Sequence, residues 1–249
     1  MWAGLSAIIA VAFLWEATQL FRIIDSQGAI GTDLAYYRFV ADRWLSTGVY
    51  YTPEQLQGPY VVRTQVHNLY PPHALYLFVP FLFLPAILWW VIPLALIAYV
   101  IAWCRPAAWA WPVIALIVAF PKTPAQMLFG NTDMWITAFI AAGVRWGWPA
   151  ILVSIKPSLG FFALLGIRSR GWWMAATAIA LLSLPLLGVW LEYPTIARNS
   201  SAQPLYSFGN LPFFVLPLVA WLTSTRRGQR SLRDWAASLL RGGRTALEP

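Results

Sequence analysis

Long apolar runs recur along this chain and contain few charged residues. The first covers residues 2–20, and others follow at 86–103, 107–120 and 172–190. A helix needs about 20 mainly apolar residues to cross a bilayer, and a segment in lipid must satisfy its backbone hydrogen bonds internally. The runs therefore predict an all-α fold, a polytopic transmembrane helix bundle.

Composition supports a membrane protein and bears on whether the chain binds nucleic acid. Of the 249 residues, 59% are hydrophobic and 10% are charged, and the mean hydropathy is +0.61. The net charge of +8 is compatible with nucleic-acid binding, but the basic residues lie between apolar runs or in the segment 226–249. The positive-inside rule explains this distribution. We therefore expect no nucleic-acid partner and a multi-pass location in the cell membrane, interpreted as a bacterial plasma membrane.

Residues 22–73 form a long polar connection, and connections of this length are usually functional. We expect an extracytoplasmic first loop that carries short interfacial helices. Apolar residues at i, i+3, i+4 spacing predict an amphipathic helix on the membrane surface. Asp33 lies at its start and Gly48 at its end. Its apolar face consists of Leu34, Tyr37, Val40, Ala41, Trp44 and Leu45.

Two further apolar segments are too short or too interrupted for a simple span. The run 73–84 is predicted to be interfacial or re-entrant, because a proline follows before it is long enough to cross. The interval 147–167 is flanked by Arg145 and Arg168. If both flanks face the cytoplasm, this interval is a re-entrant hairpin, and if it spans, one arginine lies outside. We favour the hairpin because Pro157 interrupts the interval.

The chain divides into a membrane-embedded domain, residues 1–225, and a basic cytoplasmic tail, residues 226–249. Residues 191–210 are predicted to form an outer loop. The resulting topology brings three polar sets to one side of the membrane: the loop with Asp33, the turn from Lys122 to Asp133, and the loop 191–210. We expect the functional site where these sets meet.

Asp33 is the leading candidate for chemistry. A partly buried carboxylate can act as the general base for a bound hydroxyl, and a helix N-cap is an equally compatible role. Asn131 and Asp133 precede a helix predicted at 134–144. Sugar recognition and helix capping are both open for these two residues.

Two histidines, His67 and His73, flank the segment Tyr70-Pro71-Pro72. They are candidates for contact with a sugar or an acidic partner, and a structural or solvated role is the alternative. Neither has a fixed carboxylate partner in the sequence, and Cys104 is the single cysteine, so we predict no metal site. Tyr70 is a candidate for stacking on a sugar ring, with an interfacial aromatic belt as the competing explanation.

The order of several motifs resembles a known family. The motifs are Asp33, Tyr36-Tyr37, Ala41, Gly48, Tyr50, Tyr70-Pro71-Pro72, Pro80, Pro85, Gly130-Asn131 and Lys156-Pro157. In this order, over residues 1 to about 200, the chain resembles the GT-C-fold polyprenyl-phosphate-sugar-dependent glycosyltransferases. Within them it is most similar to glycosyltransferase family 87, the alpha-mannosyltransferase-like branch, of which it would be an unusually short member.

The resemblance implies transfer of a hexose, usually mannose, from a polyprenyl-phosphate donor to a hydroxyl of a glycolipid or glycan acceptor. The transfer would invert the anomeric carbon on the extracytoplasmic face, without a cofactor. Asp33 matches the catalytic aspartate of the family. A cation would offset charge on the departing phosphate; Lys156 matches the family pattern, with snorkelling to the interface as its alternative. The other candidate cations are Arg63, Lys122 and Arg198.

Two non-enzymatic interpretations remain open. The first is a lipid-carrier transporter or flippase, which is expected to show matched repeats with broken helices; the sequence has one broken element, at Lys156-Pro157, and no repeat partner. The second is a subunit of a larger membrane complex that needs a partner subunit. In that case Asp33 would be dispensable.

Overall fold

The computed structural model describes residues 1–63, 66–201 and 209–225. Within these ranges the chain consists of α-helices and 3-10 helices and has no β-strand, so the predicted all-α class is confirmed. The predicted basic tail, 226–249, lies outside the described residues. The α-helices are α1 Trp2–Ser26, α2 Thr32–Thr47, α3 Pro53–Gln57, α4 Leu75–Phe78, α5 Leu88–Cys104, α6 Trp111–Ala119, α7 Lys122–Phe129, α8 Asp133–Trp146, α9 Arg170–Ser183, α10 Leu187–Asn199 and α11 Leu211–Leu222.

Two helices in the described ranges are long and apolar enough to cross a membrane. One is α1, and the other is the continuous helix Arg170–Asn199, in which the 3-10 turn Leu184–Leu186 joins α9 to α10. The pair α6 and α7 is bent by 55° and provides a third if it crosses as one broken span. Side chains of both long helices are mostly exposed on the surface of the bundle. These features indicate membrane association.

Two predicted connections are wrong in part, because amphipathic packing extends the helices. The predicted outer loop 191–210 is helical up to Asn199, since Ile196 is buried where α10 packs against α3. The predicted turn from Lys122 to Asp133 contains α7, and the actual turn is confined to Gly130, Asn131 and Thr132. Gly130 adopts a left-handed conformation, φ 73°, which glycine tolerates at a helix end.

Helix α2 ends as predicted but buries its apolar face inside the protein. Gly48 is left-handed and its N–H donates to the carbonyl of Trp44. The ring of Tyr37 stacks on Phe78 of α4 with centroids 4.7 Å apart, and Leu34, Val40 and Ala41 are also buried. The face predicted to contact lipid therefore packs against α4 and the 3-10 helix that follows it. Of the predicted set, Leu45 is exposed.

The path of the chain at 147–167 is the predicted hairpin. Its legs are two 3-10 helices, Trp148–Ile155 and Pro157–Gly166, separated by a break at Lys156. The two ends meet, because a Cβ placed on Gly166 would overlap the carbonyl of Gly147. The first leg approaches α8 closely, since a Cβ on Gly143 would lie 2.7 Å from Cβ of Ala150.

Helix α8 separates two ends of the bundle. Asp133 starts it and Arg145 lies in its last turn, about 18 Å away at 1.5 Å per residue. The Arg145 guanidinium lies over Trp103 near the C-terminal end of α5, 4.6 Å from the ring centroid. We call the end with Asp133 the polar end. The opposite end, which contains Arg105, Arg145, Arg168 and Arg170, is called the arginine end.

Candidate active site

Backbone contacts between α2 and the turn after α7 position Asp33. Gly31 has φ 71°, and its N–H donates to the carbonyl of Leu128 at 2.9 Å. The indole N–H of Trp89 donates to the carbonyl of Gly130 at 2.7 Å. These bonds hold the first turn of α2 against the Gly130–Thr132 turn. Asp33 and Asn131 therefore face each other although they are distant in sequence.

Asn131 binds Asp33 directly. Its side-chain Nδ2 donates to Asp33 Oδ2 at 2.6 Å, whereas no residue in the described ranges donates to Oδ1 of this half-buried carboxylate. The N-cap interpretation of Asp33 is wrong, because the N-cap residue of α2 is Gly31 and no side chain caps this helix. Asp33 instead lies in the first turn, where the helix dipole favours a negative charge.

The pKa of the Asp33 carboxyl lies above its ordinary value of 3.8. Burial is the main cause, because it disfavours the charged form, and the nearby Asp133 carboxylate adds to it. The hydrogen bond from Asn131 and the charge of Lys156 act in the opposite direction. A carboxylate with a raised pKa is a stronger base than an exposed one, which suits proton abstraction.

A buried ion pair between Lys156 and Asp133 lies close to the Asp33 carboxylate. Lys156 Nζ donates to Asp133 Oδ1, and the two residues are 4% and 0% exposed. Asn210 Nδ2 donates to the other carboxylate oxygen at 2.6 Å, so each oxygen of Asp133 has a donor. Burial in an ion pair excludes snorkelling of Lys156 to an interface, and the complete pairing compensates for the cost of removing both charges from water.

Asn131 connects the ion pair to Asp33. The backbone N–H of Asp133 donates to Asn131 Oδ1 at 3.0 Å, which satisfies a backbone donor at the start of α8. Asn131 is not the N-cap residue of α8, which is Thr132, but its side chain accepts a backbone N–H of the first turn. Because the oxygen of this amide is held by α8, its NH2 group is fixed toward Asp33.

A second branch of polar side chains reaches the same turn. The hydroxyl of Tyr70 lies 2.6 Å from Thr132 Oγ1 and 3.2 Å from the hydroxyl of Tyr37. Tyr51 donates to the Tyr70 carbonyl at 2.8 Å. These bonds fix the end of the long polar connection against the start of α8. Tyr70 thus contacts the turn that contains Asn131.

Arg63 and His67 belong to a separate cluster around Glu54. Arg63 Nη2 donates to Glu54 Oε1 at 2.8 Å, and His67 Nε2 lies 3.2 Å from Oε2. Because His67 Nδ1 accepts the backbone N–H of Arg63 at 3.1 Å, its Nε2 carries the proton. The His67 hydrogen bond and the Arg63 charge lower the pKa of Glu54. Among the described residues, neither Arg63 nor His67 bonds to Asp33.

His73 lies under the hairpin rather than at the Asp33 carboxylate. Its Nε2 is 3.0 Å from Ser154 Oγ, and its ring stacks on Trp190 with centroids 5.5 Å apart. It lines two mainly apolar cavities of about 330 and 420 Å³. These cavities lie between the first leg of the hairpin and the long helix Arg170–Asn199.

The two remaining candidate cations are exposed. Lys122 begins α7, and its ammonium lies beside Gly209, since a Cβ on that glycine would be 2.5 Å from Nζ. Gly209 precedes Asn210, the residue that binds Asp133. Arg198 lies in the last turn of α10 and makes no ion pair within the described ranges. Residues 1–63, 66–201 and 209–225 contain no group of three or more potential metal ligands.

The structure thus brings together Asp33, Asn131, Asp133, Lys156 and Tyr70 from the candidates. It adds Thr132, Asn210 and Tyr37 to the network, and none of these three was a predicted site residue. Asn210 is the last residue before an apolar helix, and a polar residue at that position is a sequence signal that could have identified it. Sequence reasoning assigned Tyr37 to the apolar face of α2 because of its aromatic ring, which is buried. That assignment left out its polar hydroxyl, which bonds to Tyr70.

Comparison with protein-family models, curated proteins and solved structures finds no match to this chain.

Proposed function

We propose that the chain is an integral membrane hexosyltransferase that transfers a sugar from a polyprenyl-phosphate donor to an acceptor hydroxyl. One observation carries this proposal: Asp33 has a raised pKa, one oxygen fixed by Asn131 and the other without a protein donor in the described ranges. A general base needs a positioned, partly desolvated carboxylate with one oxygen able to receive a proton. The hexose, with mannose as the first choice, follows from the motif order.

The reaction assigns a role to each oxygen of Asp33. Oδ1 accepts the proton of the acceptor hydroxyl while the acceptor oxygen bonds to the anomeric carbon. The bond between that carbon and the phosphate oxygen breaks, and the lipid phosphate leaves with the electron pair. Oδ2 stays bonded to Asn131, so the carboxylate does not have to reorient during proton transfer.

Lys156 acts as a positioning residue in this proposal. Its ammonium neutralises Asp133, and Asp133 holds Asn131 through its backbone N–H. A cation for the departing phosphate must come from a more accessible side chain. Lys122 is suited to this role because it is exposed and its ammonium lies beside Gly209, next to Asn210.

The charge distribution supports an extracytoplasmic reaction. By the positive-inside rule, the four arginines of the arginine end and the six arginines that follow α11 in the sequence, within 226–249, favour the cytoplasmic side. The proposal therefore assigns Asp33 and Asn131 to the outer side. A polyprenyl donor resides in the bilayer and an acceptor arrives from water. A polar end on a membrane bundle is accessible to both.

A lipid-carrier transporter is the second candidate function. The buried ion pair of Lys156 and Asp133 at a break between two 3-10 helices favours it, because intramembrane charges and broken helices mark substrate pathways in transporters. Carrier movement without sugar transfer, unaffected by loss of Asp33, would identify this function.

The test measures sugar transfer by the purified chain in lipid nanodiscs with a defined polyprenyl-phosphomannose and a glycolipid acceptor. Asp33→Asn is expected to reduce the rate by about 100-fold or more, the usual contribution of a general base. Asp42→Asn is the matched control, because Asp42 lies on the same helix and is exposed. Equal rates for wild type and Asp33→Asn, with both folded by thermal melting, would exclude the proposed mechanism.

A further inference from the structure

The arginine end carries positive charge that nothing in the described ranges neutralises. Arg105 follows α5, and its carbonyl accepts hydrogen bonds from Thr225 after α11. Arg145 lies in the last turn of α8, and Arg168 and Arg170 lie at the start of α9. No carboxylate of residues 1–63, 66–201 or 209–225 lies within 4.0 Å of these four side chains.

Arg145 is held in place by aromatic rings. Its guanidinium lies 4.6 Å from the Trp103 ring centroid and 5.4 Å from that of Trp146. Its Nε atom is buried and has no hydrogen-bond partner in the described part of the chain. Contacts with aromatic faces stabilise the cation without neutralising it, so Arg145 keeps its charge at this end.

A cleft opens next to these arginines at the base of the hairpin. Its volume is about 490 Å³, and its wall includes Gly147, Gly166, Arg168 and Ser169. Leu164 and Leu165 complete an apolar side, and both are exposed. The Ser169 hydroxyl donates to the carbonyl of Gly166, so the polar character of the cleft comes from Arg168. The cleft therefore combines a cationic residue with an aliphatic wall, which are the two surfaces that a lipid headgroup and its first chain carbons require.

Exposed tryptophans surround the same end. Trp173 donates its indole N–H to the carbonyl of Ile167 at 3.0 Å, beside the cleft. Tryptophan is enriched at the depth of lipid headgroups because its ring is apolar and its N–H is polar. The exposed tryptophans here are Trp109, Trp111, Trp146, Trp148 and Trp173.

We propose that this cleft binds the headgroup of an anionic phospholipid of the inner leaflet. Arg168 donates to the phosphate oxygens and Arg170 adds positive charge, while Leu164 and Leu165 contact the start of an acyl chain. The binding anchors the hairpin base to the membrane surface. This inference depends on the membrane location of the chain and is independent of sugar transfer.

The test is native mass spectrometry of the chain released from nanodiscs that contain equal amounts of phosphatidylglycerol and phosphatidylcholine. We expect the wild type to retain phosphatidylglycerol preferentially. Removing one arginine near an anionic surface weakens association by about fivefold, so Arg168→Gln and the double variant Arg168→Gln/Arg170→Gln should lower the preference in two steps. Both side chains are exposed, so the fold should not change.

Arg198→Gln is the matched control, because Arg198 is also exposed but lies at the opposite end, where Asn199 binds α3. It should retain the wild-type preference. Equal retention of the two lipids by the wild type, or an undiminished preference in Arg168→Gln, would overturn the proposal. Displacement of the lipid by inorganic phosphate at equal concentration would also overturn it, because the site would then accept a small anion.

Discussion

The amide of Asn131 donates to the carboxylate of Asp33 at 2.6 Å and thereby joins two residues that are 98 positions apart in the chain. The same amide accepts the backbone N–H of Asp133 with its oxygen. Asn131 therefore fixes Asp33 relative to the start of α8 and to the ion pair between Lys156 and Asp133.

Asn131→Ala is expected to lower the transfer rate at acidic pH by about tenfold. The hydrogen bond from Asn131 lowers the pKa of Asp33, and a bond to a charged group contributes about 1.5 kcal/mol. Its loss raises the pKa and leaves less of the base ionised. The measurement is the pH–rate profile, whose acid limb should move to higher pH. Asn199→Ala, which removes an amide bound to the carbonyls of Gln55 and Leu56, should leave the limb in place.

The wild-type acid limb is expected above pH 3.8, since burial raises the pKa of Asp33 over that value.

The folding stability should change with pH in the opposite direction to the rate. A carboxyl whose pKa is raised in the folded state stabilises the protein fully below pH 3.8, and this contribution is lost as the pH rises through the folded pKa. The melting temperature of Asp33→Asn relative to wild type should therefore increase from about pH 4 to about pH 7. A constant difference would show that Asp33 is not desolvated.

Lys156→Met should destabilise the chain by about 3–5 kcal/mol, because it leaves Asp133 buried and unpaired. The double variant Lys156→Met/Asp133→Asn should recover much of that loss, since the amide that replaces the carboxylate is neutral and its oxygen can still accept the hydrogen bond from Asn210. Denaturant unfolding in micelles measures both. Lys122→Met serves as the control, with an expected change within about 0.5 kcal/mol for an exposed side chain. Equal instability of the single and double variants would contradict the prediction.

Gly166→Ala should destabilise the hairpin by about 1–3 kcal/mol, the usual cost of overpacking. A Cβ there would overlap the Gly147 carbonyl and approach Trp172 Cδ1 to 2.8 Å. Gly160→Ala is matched to it, because the residue lies in the same 3-10 helix and a Cβ would meet nothing within 4 Å. Thermal melting should rank Gly160→Ala at or above the wild type. The reverse order would contradict the close contact between the hairpin ends.

Local sequence patterns predicted several elements correctly. Gly48 ends α2 as expected, because a left-handed residue terminates a helix by its own backbone preference. The hairpin was predicted from Pro157 and from the arginines on both flanks. The patterns failed where packing outweighs local polarity: residues 191–199 are mixed in polarity, yet Ile196 is buried against α3 and keeps them helical.

The apolar helices of this chain follow from local sequence, because the hydropathy and length of a segment are properties of that segment alone. It also identified Asp33, in a polar connection between apolar runs, and Lys156, within an apolar interval, as candidate site residues. The tertiary structure alone decided their partners, Asn131 for one and Asp133 for the other. Those bonds depend on the packing of α2, α7, α8 and the hairpin, and a side chain's spacing within its own helix carries no information about a partner on a distant element.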